Sequence, residues 1–116
     1  MSGTPDEEAV GGIVSEEIFA IAVVRPAEGR EAEVIRVLHD LYAVMTQKNY
    51  SRNLLYRDEK DASRLVNLRY WSSEEARRQA QEDPDVHRQW VRLAEIATVD
   101  QVFERLDEVS VGSPTR

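Results

Sequence analysis

The alternation of side chains between Arg64 and Trp71 is the clearest pattern in the chain. Every second residue belongs to an apolar set, which is Val66, Leu68 and Tyr70. The residues between them form a mixed set, which is Leu65, Asn67, Arg69 and Trp71. A period of two predicts a β-strand with one apolar face and one face that carries polar groups. Ser72 stands three residues before Glu75, which is the spacing of a capping box. The strand is therefore predicted to pass directly into a helix, with Trp71 at the junction.

Two elements are predicted before this strand. The segment from Ile18 to Arg25 is apolar almost throughout, which predicts a strand covered on both faces, and Pro26–Gly29 predicts a turn. From Arg30 to Gln47, apolar residues recur at helical spacing, at Val34, Leu38, Leu41 and Met45. This stripe predicts a long helix with one buried face, and Asn49 is its predicted stop.

The remaining segments predict a hairpin, two helical pieces and a last strand. Ser51–Asp58 is predicted to form a hairpin with the strand from Arg64 to Trp71, through the polar turn 59–62. The helix from Ser72 is predicted to run to about Gln81, and Asp83 followed by Pro84 predicts a second helical start. The buried stripe of this second helix is predicted to contain Val86, Trp90 and Leu93. Residues 98–109 fit a helix or an edge strand; we predict a strand, because it completes a four-stranded layout.

The order of these elements predicts the fold class. Strand, long helix, hairpin, helix and strand make an α+β ferredoxin-like sandwich, a four-stranded antiparallel sheet with helices on one face. The other sheet face is too apolar in the first strand to be left in water. We therefore expect a homodimer that packs through the open sheet faces, since two-fold assemblies are the commonest oligomers.

Length and composition narrow the class of protein further. The 116 residues suffice for one domain, predicted over residues 17–109 with tails at 1–16 and 110–116. A formal charge of −7 repels phosphate backbones, so no nucleic acid partner is expected. With no apolar run of the ~20 residues that span a bilayer and no signal-peptide pattern, no membrane association and a cytoplasmic location are expected. The absence of cysteine excludes disulfides and thiolate catalysis.

Three stretches carry a resemblance to a known family. They are the opening FAIAVVRPAEGREAEVIRVLHDL, the strand end at Trp71 followed by Ser73-Glu74-Glu75-Ala76, and Asp83-Pro84-Asp85-Val86-His87 at a helix start. Over about residues 18 to 109 the chain resembles the antibiotic biosynthesis monooxygenase family of dimeric α+β barrels. Relatives in that family include cofactor-free oxygenases of polyketide aromatics, haem-degrading enzymes and small-molecule isomerases.

The resemblance implies a site around Asn67 and Trp71, which lie four residues apart on one strand and project to the same face. In the polyketide-oxidising relatives, an Asn and a Trp at this spacing line the pocket. Asn67 is then expected to bind a substrate oxygen and Trp71 to pack against the ring, both as part of the catalytic site. The alternative is that Trp71 is a core residue at a strand end and Asn67 a satisfied or dimer-facing polar group.

Histidines and tyrosines are the other candidate site residues. His87 and His39 are the only imidazoles, and one of them is expected to accept the phenolic proton, His87 as a catalytic group or His39 beside the substrate. Tyr42 and Tyr70 are expected to bind the substrate by donating to a phenolate or quinone oxygen. The alternative is that the histidines are exposed or structural and that the tyrosines belong to the core or to an interface.

Three arginines of the hairpin, Arg57, Arg64 and Arg69, have two interpretations. They form cross-strand surface pairs with Asp58 and Glu59, or they bind an anionic substrate. We favour surface pairing, which is the commoner arrangement for exposed charges.

The function that the resemblance implies is oxidation of a small aromatic or quinol-type molecule by O₂, without metal, flavin or other cofactor. An electron-rich phenolate reduces O₂ itself, and the protein positions it. Haem degradation is disfavoured, because the first strand lacks the Asn and residues 72–84 lack the His that haem-degrading relatives share. The alternatives are a non-catalytic dimeric binding or stress-associated module and an isomerase or decarboxylase of a small carbonyl compound.

Overall fold

The computed structural model describes residues 17–112, and the predicted tail at 1–16 and the last residues, 113–116, lie outside it. Four strands and three helices follow in the order β1 Ile18–Pro26, α1 Glu31–Gln47, β2 Ser51–Asp58, β3 Asp61–Trp71, α2 Glu74–Glu82, α3 Pro84–Ile96 and β4 Ala97–Leu106. The strands form one antiparallel sheet in the order β2-β3-β1-β4. With the helices on one face, this is the predicted ferredoxin-like sandwich. The last segment is a strand, as predicted.

The register of the sheet assigns its side chains to two faces. On β1, Ala22 lies opposite Asn67 of β3, and the neighbouring Ile21 lies opposite Leu68. Asn67 and Trp71 are only 4% and 5% exposed, because the helices cover their face. The mixed set of β3 residues therefore faces the helices, and the apolar set, including Leu68, faces the open side of the sheet.

Helix α1 contributes an apolar stripe to the core. Its buried residues follow the predicted helical spacing and are Val34, Val37, Leu38, Leu41 and Met45. They belong to one cluster with apolar side chains of the sheet and of α3, among them Val24, Leu65, Val86 and Ile96. Burial of this apolar stripe stabilises the packing of α1 against the sheet, since buried apolar area is the main favourable term in folding.

The end of α1 is set by Asn49, as predicted. Asn49 adopts a left-handed conformation with φ of 63°, a region that asparagine enters more readily than most residues. The N–H of Tyr50 then donates to the carbonyl of Met45 at 2.8 Å and satisfies one of the free carbonyls of the last turn. The chain consequently reverses into β2 directly after the helix.

The predicted capping box at Ser72 is wrong by one residue. Ser73 is the N-cap of α2, and its Oγ accepts from the N–H of Ala76 at 3.0 Å. The hydroxyl of Ser72 instead donates to the carbonyl of Asn49 at 2.8 Å. Ser72 is therefore engaged in tying the end of β3 to the start of β2, and the adjacent serine is left to cap the helix.

The hairpin between β2 and β3 has a shorter turn than predicted. Asp58 ends β2 and Asp61 begins β3, so Glu59 and Lys60 alone form the loop. Oδ1 of Asp58 accepts from the N–H of Lys60 at 2.9 Å, a local bond that favours a tight turn. As a result β3 begins at Asp61 rather than at Arg64.

Asp83 connects α2 to α3 and caps the second of them. Its Oδ1 accepts from the N–H of Asp85 at 2.8 Å, and Pro84 follows in the first turn, as predicted. Its Oδ2 accepts from Nζ of Lys48 at 2.7 Å and from the hydroxyl of Tyr50 at 2.6 Å. These donors, Lys48 foremost, hold the pKa of Asp83 well below the ordinary aspartate value. One buried carboxylate thus joins three elements.

Replacing Asp83 with alanine is expected to lower Tm at pH 7 by roughly 5–10 °C, because α3 loses its cap and Tyr50 loses its acceptor. Folding lowers the pKa of Asp83, so its stabilisation is present above the ordinary value of 3.8 and is lost as the pH falls below it. Thermal unfolding at pH 7 and pH 3 should therefore show a smaller wild-type–variant difference at pH 3. Asp85→Ala is the control, since it keeps the cap; equal losses in both variants would contradict this role.

Candidate active site

A cleft opens between the helix side of the sheet and helices α2 and α3. Its volume is about 190 Å³, and it is open to solvent on one side. This is smaller than the ~300–1,000 Å³ of sites for drug-sized ligands, so it suits a small molecule that stays partly exposed. The polar and aromatic residues that line it include Asn67, Arg69, Trp71, Arg77, Trp90 and Glu104.

The cleft exists because β1 presents short side chains at this point. Ala20 and Ala22 line it, opposite Arg69 and Asn67 of β3 respectively. Two residues further along β1, Val24 is 2% exposed and belongs to the packed core. Methyl side chains thus leave room above the sheet that larger side chains fill elsewhere.

Asn67 is held in place by a tyrosine from α1. The hydroxyl of Tyr42 donates to Oδ1 of Asn67. Burial raises the pKa of Tyr42 to about 12, against a smaller opposing effect of the Arg69 charge, so the hydroxyl stays protonated. Within residues 17–112, the amide nitrogen of Asn67 donates to no protein group. Its N–H groups are therefore available to an oxygen atom in the cleft.

Arg69 places a positive charge in the same cleft. Its Nε donates to Oδ1 of Asn53 at 2.7 Å, and its Cζ lies 5.3 Å from the centre of the Trp71 ring. Burial lowers the pKa of Arg69 to about 10, so the guanidinium is charged at neutral pH but poorly hydrated. In the described part of the chain it forms a salt bridge with no carboxylate.

The other two hairpin arginines are surface residues, as we favoured. Arg64 lies 3.8 Å from the carboxylate of Asp58, one of its predicted partners. Arg57 pairs with Glu31 of α1 instead of with a hairpin carboxylate. The prediction of a surface ion pair is wrong for Arg69 alone, because the alternation of β3 places its side chain on the face that the helices cover.

Both tryptophans of the chain line the cleft. Trp71 enters from the end of β3 and Trp90 from α3, where it was predicted as part of the buried stripe. Trp90 is half-buried and borders the cleft, whereas its neighbours in that stripe, Val86 and Leu93, are buried. The two indoles give the cleft flat apolar walls of the kind that hold aromatic ligands.

A second arginine stands at the cleft, but its charge is compensated. Arg77 of α2 lies 3.2 Å from the carboxylate of Glu74 and 3.5 Å from that of Glu104 on β4. Within the described residues, the cleft therefore contains one arginine with carboxylate partners and one, Arg69, without.

The structure separates the remaining predicted site residues from the cleft. His87 is exposed on α3, and the side chain of His39 on α1 is 79% exposed, with its Nδ1 3.4 Å from Asp40. Tyr70 lies on the open face of the sheet, where its ring stacks on Phe19 with centroids 4.6 Å apart. Of the six predicted site residues, those brought together are Asn67, Trp71 and Tyr42.

Sequence reasoning missed Arg77, Gln81 and Glu104 as cleft residues. They lie on α2 and β4, and no local pattern indicates that these elements meet at the end of β3. Arg69 was detectable, because it belongs to the same alternating set as Asn67 and Trp71. Its position on that face should have outweighed the general preference of arginine for the surface.

The described residues contain neither a metal cluster nor a membrane-spanning helix. Within residues 17–112, no three His, Cys, Asp or Glu side chains are grouped so as to hold a metal ion. Over the same range, the helices fall short of the length and apolarity needed to cross a bilayer.

The fold and the Asn–Trp pair beneath the helices define an α+β domain with a cleft on the helix side of its sheet. Residues 17–93, more than half of the chain, match the family model of antibiotic biosynthesis monooxygenase. The chain belongs to this family, as the sequence resemblance indicated. No curated protein matches its sequence.

Several solved structures share the fold. SnoaB, a cofactor-independent oxygenase from Streptomyces nogalater, has a TM-score of 0.70 and 19% identity, over 84% of this chain and 99% of SnoaB. A conserved protein from Methanosarcina mazei has a TM-score of 0.66 and 13% identity, over 78% and 93% of the two chains. Rv0793 from Mycobacterium tuberculosis has a TM-score of 0.64 and 18% identity, over 81% and 99%. At these identities the likeness establishes the fold.

Proposed function

We propose that this protein is a cofactor-independent monooxygenase that oxidises a small electron-rich aromatic molecule with O₂. The observation that carries the proposal is Asn67, a buried amide whose oxygen is held by Tyr42 and whose N–H groups are available in a cleft walled by Trp71. Membership of the monooxygenase family and the similarity to SnoaB, a cofactor-independent oxygenase, support the same class of reaction.

The chemistry requires a substrate that can reduce O₂ by itself. A phenolate with an activated ring CH₂ transfers one electron to O₂, and the resulting radical and superoxide combine to a peroxide. Loss of water from the peroxide leaves a carbonyl, so one oxygen atom enters the product and the other leaves as water. No external reductant is consumed.

The protein groups supply position and polarity for this reaction. Trp71 and Trp90 hold the ring, and the N–H groups of Asn67 donate to the oxygen on which negative charge develops, a preorganised interaction of the oxyanion-hole kind. Tyr42 keeps its proton, because its pKa is raised to about 12. Its role is therefore to orient Asn67 rather than to act as a base.

The test is oxygen uptake by metal-stripped protein with a panel of anthrones, hydroquinones and catechols. Asn67→Ala is expected to reduce the rate above the uncatalysed background by roughly tenfold to a hundredfold, because the donors to the developing charge are lost. Trp71→Ala is expected to weaken substrate binding. Uptake that is indifferent to both substitutions, in variants that fold and assemble normally, would refute the proposed site.

His87→Ala is the matched control and also separates two hypotheses. The sequence-based hypothesis makes His87 the proton acceptor and predicts a loss of activity. The exposed position of His87 outside the cleft predicts an unchanged rate. If no member of the panel is oxidised, while an aromatic ligand still binds, the non-catalytic binding module becomes the better account.

We further propose that two copies pack through the open face of the sheet. Each of the four strands places apolar side chains on this face, and among them Leu54, Tyr56 and Phe103 are 44%, 56% and 40% exposed. A contiguous apolar face of this kind is typical of an interface, and the family resemblance implies the same dimer. The cleft lies on the opposite face, so dimerisation leaves it accessible from the helix side.

A further inference from the structure

We infer that the ligand of the cleft is an aromatic anion and that Arg69 is its counter-ion. The negative group is a carboxylate or a phenolate attached to the ring system that the tryptophans hold. The inference rests on the proposed function only in taking the cleft as the substrate site. It assigns the residue that pairs with the negative charge of the substrate, which neither the fold nor the reaction class specifies.

The geometry of Arg69 supports this assignment. Its Nε is occupied by Asn53 at 2.7 Å, but its two terminal NH₂ groups donate to no residue between 17 and 112. A guanidinium presents these groups as a planar fork that matches the two oxygens of a carboxylate. The fork lies beside Trp71, 5.3 Å from the ring centre, so a paired anion would also contact an aromatic wall.

Among residues 17–112, the lack of a carboxylate partner for Arg69 is informative. The formal charge of the chain is −7, and the neighbouring Arg77 has two carboxylate partners in the same cleft. A poorly hydrated cation without a partner costs folding stability. Such a residue is typical of a binding site whose ligand supplies the missing charge.

The test compares two probes of the same shape, 2-naphthoate and 2-naphthamide, by isothermal titration calorimetry. No oxygen chemistry is involved, so the result is independent of the proposed oxidation. Wild-type protein is expected to bind the carboxylate about tenfold or more tightly than the amide. Arg69→Met is expected to bring the two affinities within about twofold by weakening the carboxylate alone. Arg57→Gln, which removes a surface arginine paired with Glu31 outside the cleft, is expected to keep the preference.

A second arm uses 4-nitrophenol, whose phenolate has its own absorption band. Binding beside Arg69 should shift this probe toward its phenolate form in wild-type protein and not in Arg69→Met. A response in only one of the two arms assigns the group that pairs with Arg69, a carboxylate in the first arm or a phenolate in the second. Absence of a charge preference in both arms would overturn the inference, as would a preference that survives Arg69→Met or disappears in Arg57→Gln.

A stability measurement separates a binding role from a structural one. Methionine fills a similar volume without a charge, so Arg69→Met is expected to fold with a Tm equal to or above that of the wild type. If Arg69→Met lowers Tm strongly, Arg69 also supports the fold through Asn53, and the binding assays are then made with Arg69→Gln, which keeps polarity without the charge. A preference for the carboxylate that survives in a folded Arg69→Gln would overturn the inference.

Discussion

Replacing Leu68 with aspartate is expected to convert the proposed dimer into a monomer. Leu68 lies in the middle of the open face, between Ile21 of β1 and Leu54 of β2. A two-fold interface would bury this carboxylate twice, without partners. At roughly 2 kcal/mol for each, the dissociation constant should rise by about a thousandfold. Size-exclusion chromatography with light scattering over a dilution series measures the change.

The control for this prediction is Val91→Asp. Val91 is 46% exposed on α3, away from the open face, so a carboxylate there should leave assembly unchanged. Circular dichroism of both variants checks that each chain remains folded. A dimer that persists in Leu68→Asp would show that the chain associates through another surface, and a wild-type monomer at micromolar concentration would refute the dimer itself.

Replacing Leu41 with alanine is expected to lower the free energy of unfolding by about 2–5 kcal/mol. Leu41 is 1% exposed in the middle of the α1 stripe, packed among residues of the sheet and α3. Truncation removes buried apolar contacts and leaves a cavity that the close-packed core refills only in part. Urea unfolding at one fixed protein concentration measures the loss, since dissociation would otherwise contribute.

Ile35→Ala tests whether the cost comes from burial. Ile35 lies on the same helix with a side chain of similar size, but it is 40% exposed. Its truncation should cost less than about 1 kcal/mol. Comparable losses in the two variants would mean that the stripe of α1 is not the main contribution of the helix to stability.

The sequence was most informative where local periodicity reports burial directly. The spacing of apolar residues predicted α1, and the alternation of apolar and polar residues predicted β3. Both patterns arise because each face of a helix or strand packs against either the core or solvent. Pro84 after Asp83 marked the start of α3, since proline fits a helix only in its first turn. The strand character of Ala97–Leu106 came from the layout of the sheet rather than from its own residues.

The errors have a common physical origin, which is competition between equivalent local choices. Ser72 and Ser73 are both able to cap a helix, and the bond from Ser72 to the carbonyl of Asn49 decides between them. That carbonyl lies in the turn between α1 and β2, more than twenty residues earlier in the chain. Local spacing contains no information about such a partner.

The sequence by itself determined the elements, the fold class and the pairing of Asn67 with Trp71 on one face of β3. Only the tertiary structure decided that this face lies beneath the helices, that Tyr42 reaches Asn67, and that the histidines stay outside. The physical reason is that periodicity records whether a side chain is buried, whereas a site depends on which separate elements converge. Arg69 illustrates both: the alternation of β3 predicts which face it lies on, and only the packing of residues 17–112 leaves its charge without a carboxylate partner among them.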